Sequence, residues 1–243
     1  MGALDRKHVI IVKPKKSGSK FYNYLGSFSI NLMAIVDADY KFVMVDVGAY
    51  GSNNDGGIFI SSNIGQQVIF NKDLFPPPQN LPGTTTKINC SIIADAAFPL
   101  RNNIMKPFPS NDAANLCDQE YVYNYRLCRA RRVVENAFGI LAACFRSFHR
   151  TIGLSPQMTR HAVLATIVLH NFLTVPKDIT YQETIGCNTW KPSTCKALQN
   201  MQKKGNCGSL EAILQRTTLM EYFMGPGAVA HQQRSCHIGT SLN

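Results

Sequence analysis

Two hydrophobic periods divide this chain. Through the first hundred residues, apolar positions recur every second residue or in short unbroken runs. The stretch "SFSINLMAIV", residues 27–36, opens with Phe28, Ile30 and Leu32 on one side and Ser27, Ser29 and Asn31 on the other, the period-two signature of a strand. "DADYK" then turns the chain and "FVMVDV" returns, rich in β-branched residues, so an antiparallel meander of two or three strands is expected. "HVIIVKP" reads as a buried strand ahead of it, closed by Pro14. "GAYGSNNDGG" reads as a loop and "IFISSNIGQQVIF" as helix. "LFPPPQNLPGTTT" is a proline-rich connection, and "CSIIADAAF" a further strand.

From about residue 123 the period lengthens to about 3.6. Val134, Phe138, Leu141 and Phe145 form one stripe, which predicts a helix of roughly 20 residues. "SPQMTRHAVLATIVLHNFL" predicts a second, with Ser155 at the N-cap and Pro156 in the first helical position. Strands first and helices afterwards imply an α+β sandwich around a mixed sheet. The compact domain is expected over 1–175. Residues 176–243 are expected to form a loosely attached tail with one helix at "SLEAILQRTTLMEYF". There are no internal repeats.

Composition narrows the class of function. A hydrophobic content of 45% with 16% charged residues describes a globular protein. Lys and Arg outnumber Asp and Glu by 25 to 15, a net +10, and such an excess favours polyanionic partners. Eight cysteines at irregular intervals include no C-x-x-C pair, which argues against a zinc knuckle. No signal-peptide pattern opens the sequence, so a reducing compartment is expected. The longest apolar run, "AVLATIVLHNFLTV", is too short to span a bilayer and carries His170 and Asn171, so no membrane role is expected.

Against that background two acids stand out. Asp95 follows the apolar "SIIA", and Glu135 sits between Val134 and Phe138. A carboxylate removed from water is costly unless paired, hydrogen-bonded or bound to metal. Each has a plain explanation: Asp95 could cap the turn into "PLRNNIM", and Glu135 could pair with Arg131 or Arg132 one turn back. Together they admit another. A strand-end carboxylate and a helix carboxylate facing the same sheet can hold divalent cations at a phosphodiester, and Mg²⁺ or Mn²⁺ suits oxygen ligands. Gly139 leaves the next position on that helix face bare. Arg126, Arg129, Arg131 and Arg132 lie beside Glu135, where a nucleic-acid backbone would meet them; a solvated basic face is the alternative.

The stretches "GALDRKHV", "GSNNDGGIF", "IIADAAFPL", "YNYRLCRARRVVENAFGILAACFR" and "VLHNF" occur in that order. In them the chain resembles the nuclease domain of PIF/Harbinger transposases and the nucleases derived from them. Even "LMEYFMGPGAVAHQQ" is similar to the ending of some members. The resemblance implies an RNase H-like mixed sheet flanked by helices, and a DDE-type endonuclease site that cuts DNA without a covalent protein intermediate. Its acids are Asp5, Asp95 and Glu135, with Asp55 a further metal ligand and Mg²⁺ or Mn²⁺ the cofactor. DNA is the implied partner, alongside a separate DNA-binding protein that directs the chain, and the nucleus, with the cytoplasm second, the implied location. "KPKKSGSK" reads as a solvated loop or a weak targeting patch.

The sequence also departs from that family. "DRKH" puts two long cations where members usually have Gly-Thr, able either to crowd metals or to reach DNA. "DAAFP" lacks the hydroxyls of the usual Ser-Gly-Tyr. Asp5 lies four residues from the start, so a shortened strand and an N-terminally truncated domain are expected. A non-catalytic nucleic-acid- or protein-binding module of the same fold is therefore the alternative to an active nuclease. Asp37 and Asp39 are read as turn residues, Asp46 as solvent-facing, His8 as a structural hydrogen-bonding group on the face opposite Asp5, and His170 and Asn171 as groups that satisfy buried backbone.

Overall fold

A computed structural model describes residues 2–109, 116–174, 208–230 and 232. Among them the strands are β1 (Ala3–Ile10), β2 (Ser29–Val36), β3 (Phe42–Tyr50), β4 (Gln79–Asn80), β5 (Lys87–Ile88), β6 (Ile92–Ile93) and β7 (Ile104–Met105). The α-helices are α1 (Asp55–Ser61), α2 (Asn63–Phe70), α3 (Asp118–Cys144), α4 (Pro156–Leu173) and α5 (Leu210–Met224).

Strand β2 explains the sheet. All of its residues are buried, because helices cover both faces. Ile30, Leu32, Ala34 and Val36 join Val134, Phe138, Leu141, Val163 and Ile167 of α3 and α4 in one apolar cluster. Met33 and Ile35 join Ile58, Phe59, Ile64 and Val68 of α1 and α2 in the other. Antiparallel β1 and β3 flank β2, then β6 adds to β1 and β7 to β6 in parallel. The resulting order, β3-β2-β1-β6-β7, with helices on both faces, is the expected RNase H-like α/β architecture. Strands β4 and β5 form a separate hairpin. Gly48 makes a bulge in β3: Asn31 pairs with Ala49 and Leu32 with Val47, so Gly48, at φ 120°, is passed over.

Strand β1 is longer at its start than "HVIIVKP" suggests. It begins at Ala3 and pairs with β2 along its whole length, from Ala3 opposite Val36 to Ile10 opposite Ser29. The expectation of a shortened strand around Asp5 is thus corrected: eight cross-strand partners anchor that segment.

Helix α3 has 27 residues rather than about 20, some 40 Å at 1.5 Å per residue. It starts earlier than the stripe from Val134 because its first half has a different partner. Tyr123 and Leu127 pack with Leu100, Met105 and Ala212, near Leu219, Met220 and Phe223 of α5. The guanidinium of Arg126 lies 4.6 Å from the Phe223 ring centre and donates to Gly227 O at 3.1 Å. The looseness expected of the tail does not extend to this helix; residues 175–207 and 233–243 lie outside the described residues. Ser155 caps α4 with Pro156 next, as expected, its hydroxyl accepting from Met158 N. His170 Nε2 meets Tyr40 O at 2.8 Å, and the Asn171 amide bonds both N and O of Phe42, so the pair does satisfy backbone.

Candidate active site

Strand register brings the first two acids together. Ala3 of β1 pairs with Ile93 of parallel β6. Asp5 and Asp95 each lie two residues further on, hence on the same face of neighbouring strands. That face looks toward α3: Ala3 and Val9 belong to the cluster containing Val134 and Phe138. Ala94 N still bonds Met105 O, so Asp95 stands just past the sheet's last bond, at the carboxyl end of a parallel strand. The partner of Asp5 across β2 is Ala34, fully buried, a small neighbour that leaves the carboxylate room.

Helix α3 supplies the rest. Val134, Ala137 and Phe138 are buried against the sheet, which fixes the helix's rotation and puts Arg131 and Glu135 over the strand acids. The Arg131 guanidinium then meets three carboxylates. Its Nη2 lies 3.5 Å from Asp5 Oδ2 and 3.9 Å from Glu135 Oε1, and its Nη1 lies 3.6 Å from Asp95 Oδ1. Positions 95 and 135 therefore face one group. The plain readings are present as well, since Glu135 pairs with Arg131 and Asp95 Oδ1 accepts Ala96 N at 2.6 Å. Beyond Glu135 the surface is open: a side chain at Gly139 would meet nothing within 4 Å.

Asp55 does not join this group. It is the first residue of α1, behind the Asn54 cap whose side chain accepts from Gly57 N, and an acid there suits the helix dipole. Its partner is Arg6, which alternation in β1 turns to the face opposite Asp5. Arg6 Nε approaches Asp55 Oδ1 to 2.5 Å, and Arg6 Nη1 donates to Asn53 O at 3.0 Å. The Asp55 contact is an ion pair. The Arg6 side chain is 8% exposed and turned inward to that pair, which leaves it little reach toward a DNA backbone.

The charge balance shapes the acids. Burial pushes the Asp5 carboxyl up to about 6, against the pull of Arg131 and the Arg6 backbone N–H and with the push of Asp95 and Glu135. Burial also raises Asp55, opposed by Arg6. Burial works against the charge of Arg131, yet Asp95, Asp5 and Glu135 outweigh it and hold the proton more firmly. Lys7, two residues from Asp5 on the same face, and Lys106, whose Nζ donates to Ala96 O at 3.3 Å, are both lowered by burial. Lys7 is the second of the two long cations of "DRKH"; Lys106 was not singled out from the sequence, where its one signal is that it directly follows β7.

Of the four arginines proposed for nucleic acid, Arg131 is engaged with the acids and Arg126 with α5, and Arg129 Nη1 donates to Tyr125 Oη at 3.4 Å. Arg129 and Arg132 are exposed on α3. Asp37 accepts from Asp39 N and Lys41 N, a turn role as expected. Asp46 is not simply solvent-facing, since its Oδ2 receives Asn63 N at the start of α2. His8 bonds Ser29 Oγ at 2.8 Å through Nδ1.

The donor set fits a hard divalent cation in kind: Asp5, Asp95 and Glu135 offer oxygen only, and all three already converge on one cationic group. As arranged, with the guanidinium among them, no three acidic, His or Cys side chains of the described residues stand close enough to share an ion. No helix among these residues is long and apolar enough to cross a membrane.

A family model described as DDE superfamily endonuclease matches residues 4–171. The chain is 27% identical over 178 residues to the Homo sapiens protein named "Putative nuclease HARBI1", covering 70% of this chain and 45% of that one. The Xenopus laevis protein of the same name is 24% identical over 218 residues, covering 88% and 57%. "Protein ALP1-like" of Arabidopsis thaliana is 26% identical over 187 residues, covering 75% and 45%. The chain spans about half the length of the curated relatives it matches. No solved structure matches.

Proposed function

Because the chain belongs to the DDE superfamily endonucleases, and is a relative of Harbinger transposase-derived nucleases, we propose that it carries the catalytic domain of a divalent-metal-dependent DNA endonuclease. The observation that carries this reading is the convergence of Asp5, Asp95 and Glu135, from two adjacent parallel strands and a helix, on one cation. These three would hold Mg²⁺ or Mn²⁺, whose chemistry at a phosphodiester is to activate water and stabilise the leaving oxygen. Arg131 meanwhile holds three carboxylates around one point. Glu135, with its side chain 40% exposed, and the bare surface at Gly139 give a phosphate access from the helix side. Arg129 and Arg132 supply charge for the backbone on the same helix. Under this reading the chain works in the nucleus, where its substrate lies, with a separate DNA-binding protein directing it.

The test is nicking of supercoiled plasmid with Mg²⁺ or Mn²⁺. Asp95→Ala and Glu135→Ala each lower the rate by about 10³-fold, the order lost when a positioned electrostatic group is removed from an active site. Equal cleavage by wild type and both variants sinks the reading. One observation favours a second reading, a non-catalytic nucleic-acid-binding module: each of the acids already has an arginine partner, Arg6 or Arg131, and no three of them are spaced for an ion. Salt-sensitive DNA binding with no cleavage by any variant selects it.

A further inference from the structure

Helix α4 is apolar on the side that faces away from the sheet. Thr159, Val163, Ile167 and His170 are its buried row, with Val163 and Ile167 in the cluster that contains β2. Positions 158, 161, 165, 168 and 172 recur at intervals of three and four, which sets them on one stripe about half a turn round the helix from that row. Such a stripe is ordinarily polar. Here it reads Met158, His161, Ala165, Val168 and Phe172, with Leu169 beside it. Among the described residues nothing covers it: Val168 is 68% exposed, Phe172 73% and Met158 55%. Arg160 lies off the stripe, and the helix carries no lysine or acid. Side chains of these sizes leave on the order of 500 Å² of bare apolar surface, near the top of what a monomer carries.

The stripe is complementary to itself. Ala165 is its midpoint: Met158 and Phe172 each lie seven residues away, His161 and Leu169 four, Ala162 and Val168 three. Two copies of α4 laid antiparallel, Ala165 against Ala165 on a twofold axis, therefore set Met158 against Phe172, His161 against Leu169 and Ala162 against Val168. A thioether meets a ring, a small side chain meets a branched one, and the alanines let the helices approach where they cross. The spacing is that of a paired-helix seam. Over both copies about 1,000 Å² is covered, the size a specific interface must clear. An unrelated helix could use the bulky C-terminal half, but a second copy uses both halves in register. We infer that this face of α4 is a homodimer contact, with two chains pairing antiparallel about Ala165. The contact uses none of the acids of the candidate active site and stands apart from the nuclease reading.

The experiment is sedimentation velocity of the full chain over a concentration series. Wild type sediments as a monomer–dimer equilibrium with micromolar dissociation, the weak end expected of so small an interface. Ala165→Glu and Ala165→Lys each put two like charges on the axis and weaken the dimer by about 100-fold or more. Their far-UV circular dichroism is unchanged, because position 165 is exposed. Mixing the two variants in equal amounts restores a dimer, since opposite charges then meet on the axis. The inference is overturned by a wild-type chain that stays monomeric at every concentration, which assigns the face to another part of the chain or to a different partner. It is overturned as well by either variant dimerising as wild type does, or by a mixture of the folded variants that stays monomeric. The wild-type arm stands whether or not either variant folds.

Discussion

The two faces of strand β1 handle buried charge differently. Toward α3, three carboxylates share one guanidinium. Toward α1, one carboxylate has one guanidinium to itself. The second arrangement is electrically closed. The first is left with an excess of negative charge, and there burial pushes Asp5 up to about 6 against the pull of Arg131, with a smaller push from Asp95 and Glu135. A folded protein keeps such an imbalance at a cost to stability, and sites that must later receive a cation are where that cost has a use. The structure thus separates an open electrostatic site from a closed one across the thickness of a single strand.

Three measurements break or sharpen this contrast. The largest effect is expected at Arg131. Replacing it with Gln leaves Asp5, Asp95 and Glu135 facing each other without a cation. Breaking a buried pair costs roughly 3–5 kcal/mol; discounted for the partial exposure of Asp95 and Glu135, the loss is about 2–3 kcal/mol by urea unfolding at pH 7.5 without divalent ions. Mn²⁺ restores part of it. A loss under about 0.5 kcal/mol would mean that the three acids are not coupled through this residue.

Asp5→Asn moves stability the other way. The folded carboxyl is raised above its unfolded value, so the native state binds more protons between those two values and wild-type stability falls as pH rises from about 4 through about 6. Asparagine avoids that penalty. The variant is more stable than wild type by about 2 kcal/mol at pH 7.5, the gain vanishes near pH 4, and nicking is lost. A variant less stable than wild type at pH 7.5 removes the case for strain on this face.

The smallest effect lies on the opposite face. His8 shares it with Arg6, and burial, then Arg6, lower its imidazole to about 4. The unfolded chain therefore takes up a proton that the native one refuses, and stability is lost as pH falls from about 6.5 through about 4. Screened by partial exposure, the loss is on the order of 1 kcal/mol. Melting curves across that window should be flatter for His8→Gln than for wild type. Identical slopes would show that His8 titrates freely.

Much of this was legible in the chain because it is local. Ser155 followed by Pro156 starts a helix wherever it occurs, Asp37 closes its turn with its own neighbours, and the stripe from Val134 to Leu141 carries its period with it. The motif order that points to the family carries Asp5, Asp95 and Glu135 in the same way. Strand β7 was harder: at two residues, Ile104–Met105, it has no period to read, and only pairing with β6 makes it a strand; β6, read within "CSIIADAAF", is just as short. The packing of α5 was also hidden, since its partners Tyr123 and Leu127 lie some ninety residues away along the chain.

Sequence alone determined the long helices and strands, which family's motifs they carry, and which acids are candidates, because those depend on neighbours a few residues apart. Tertiary structure alone decided where the charges point. The pairing of Ala3 with Ile93 sets Asp5 beside Asp95, the rotation of α3 turns Arg131 inward, and alternation in β1 sends Arg6 to Asp55. A charge's partner depends on which face its backbone presents and on what packs there, and neither is written into residue type or spacing.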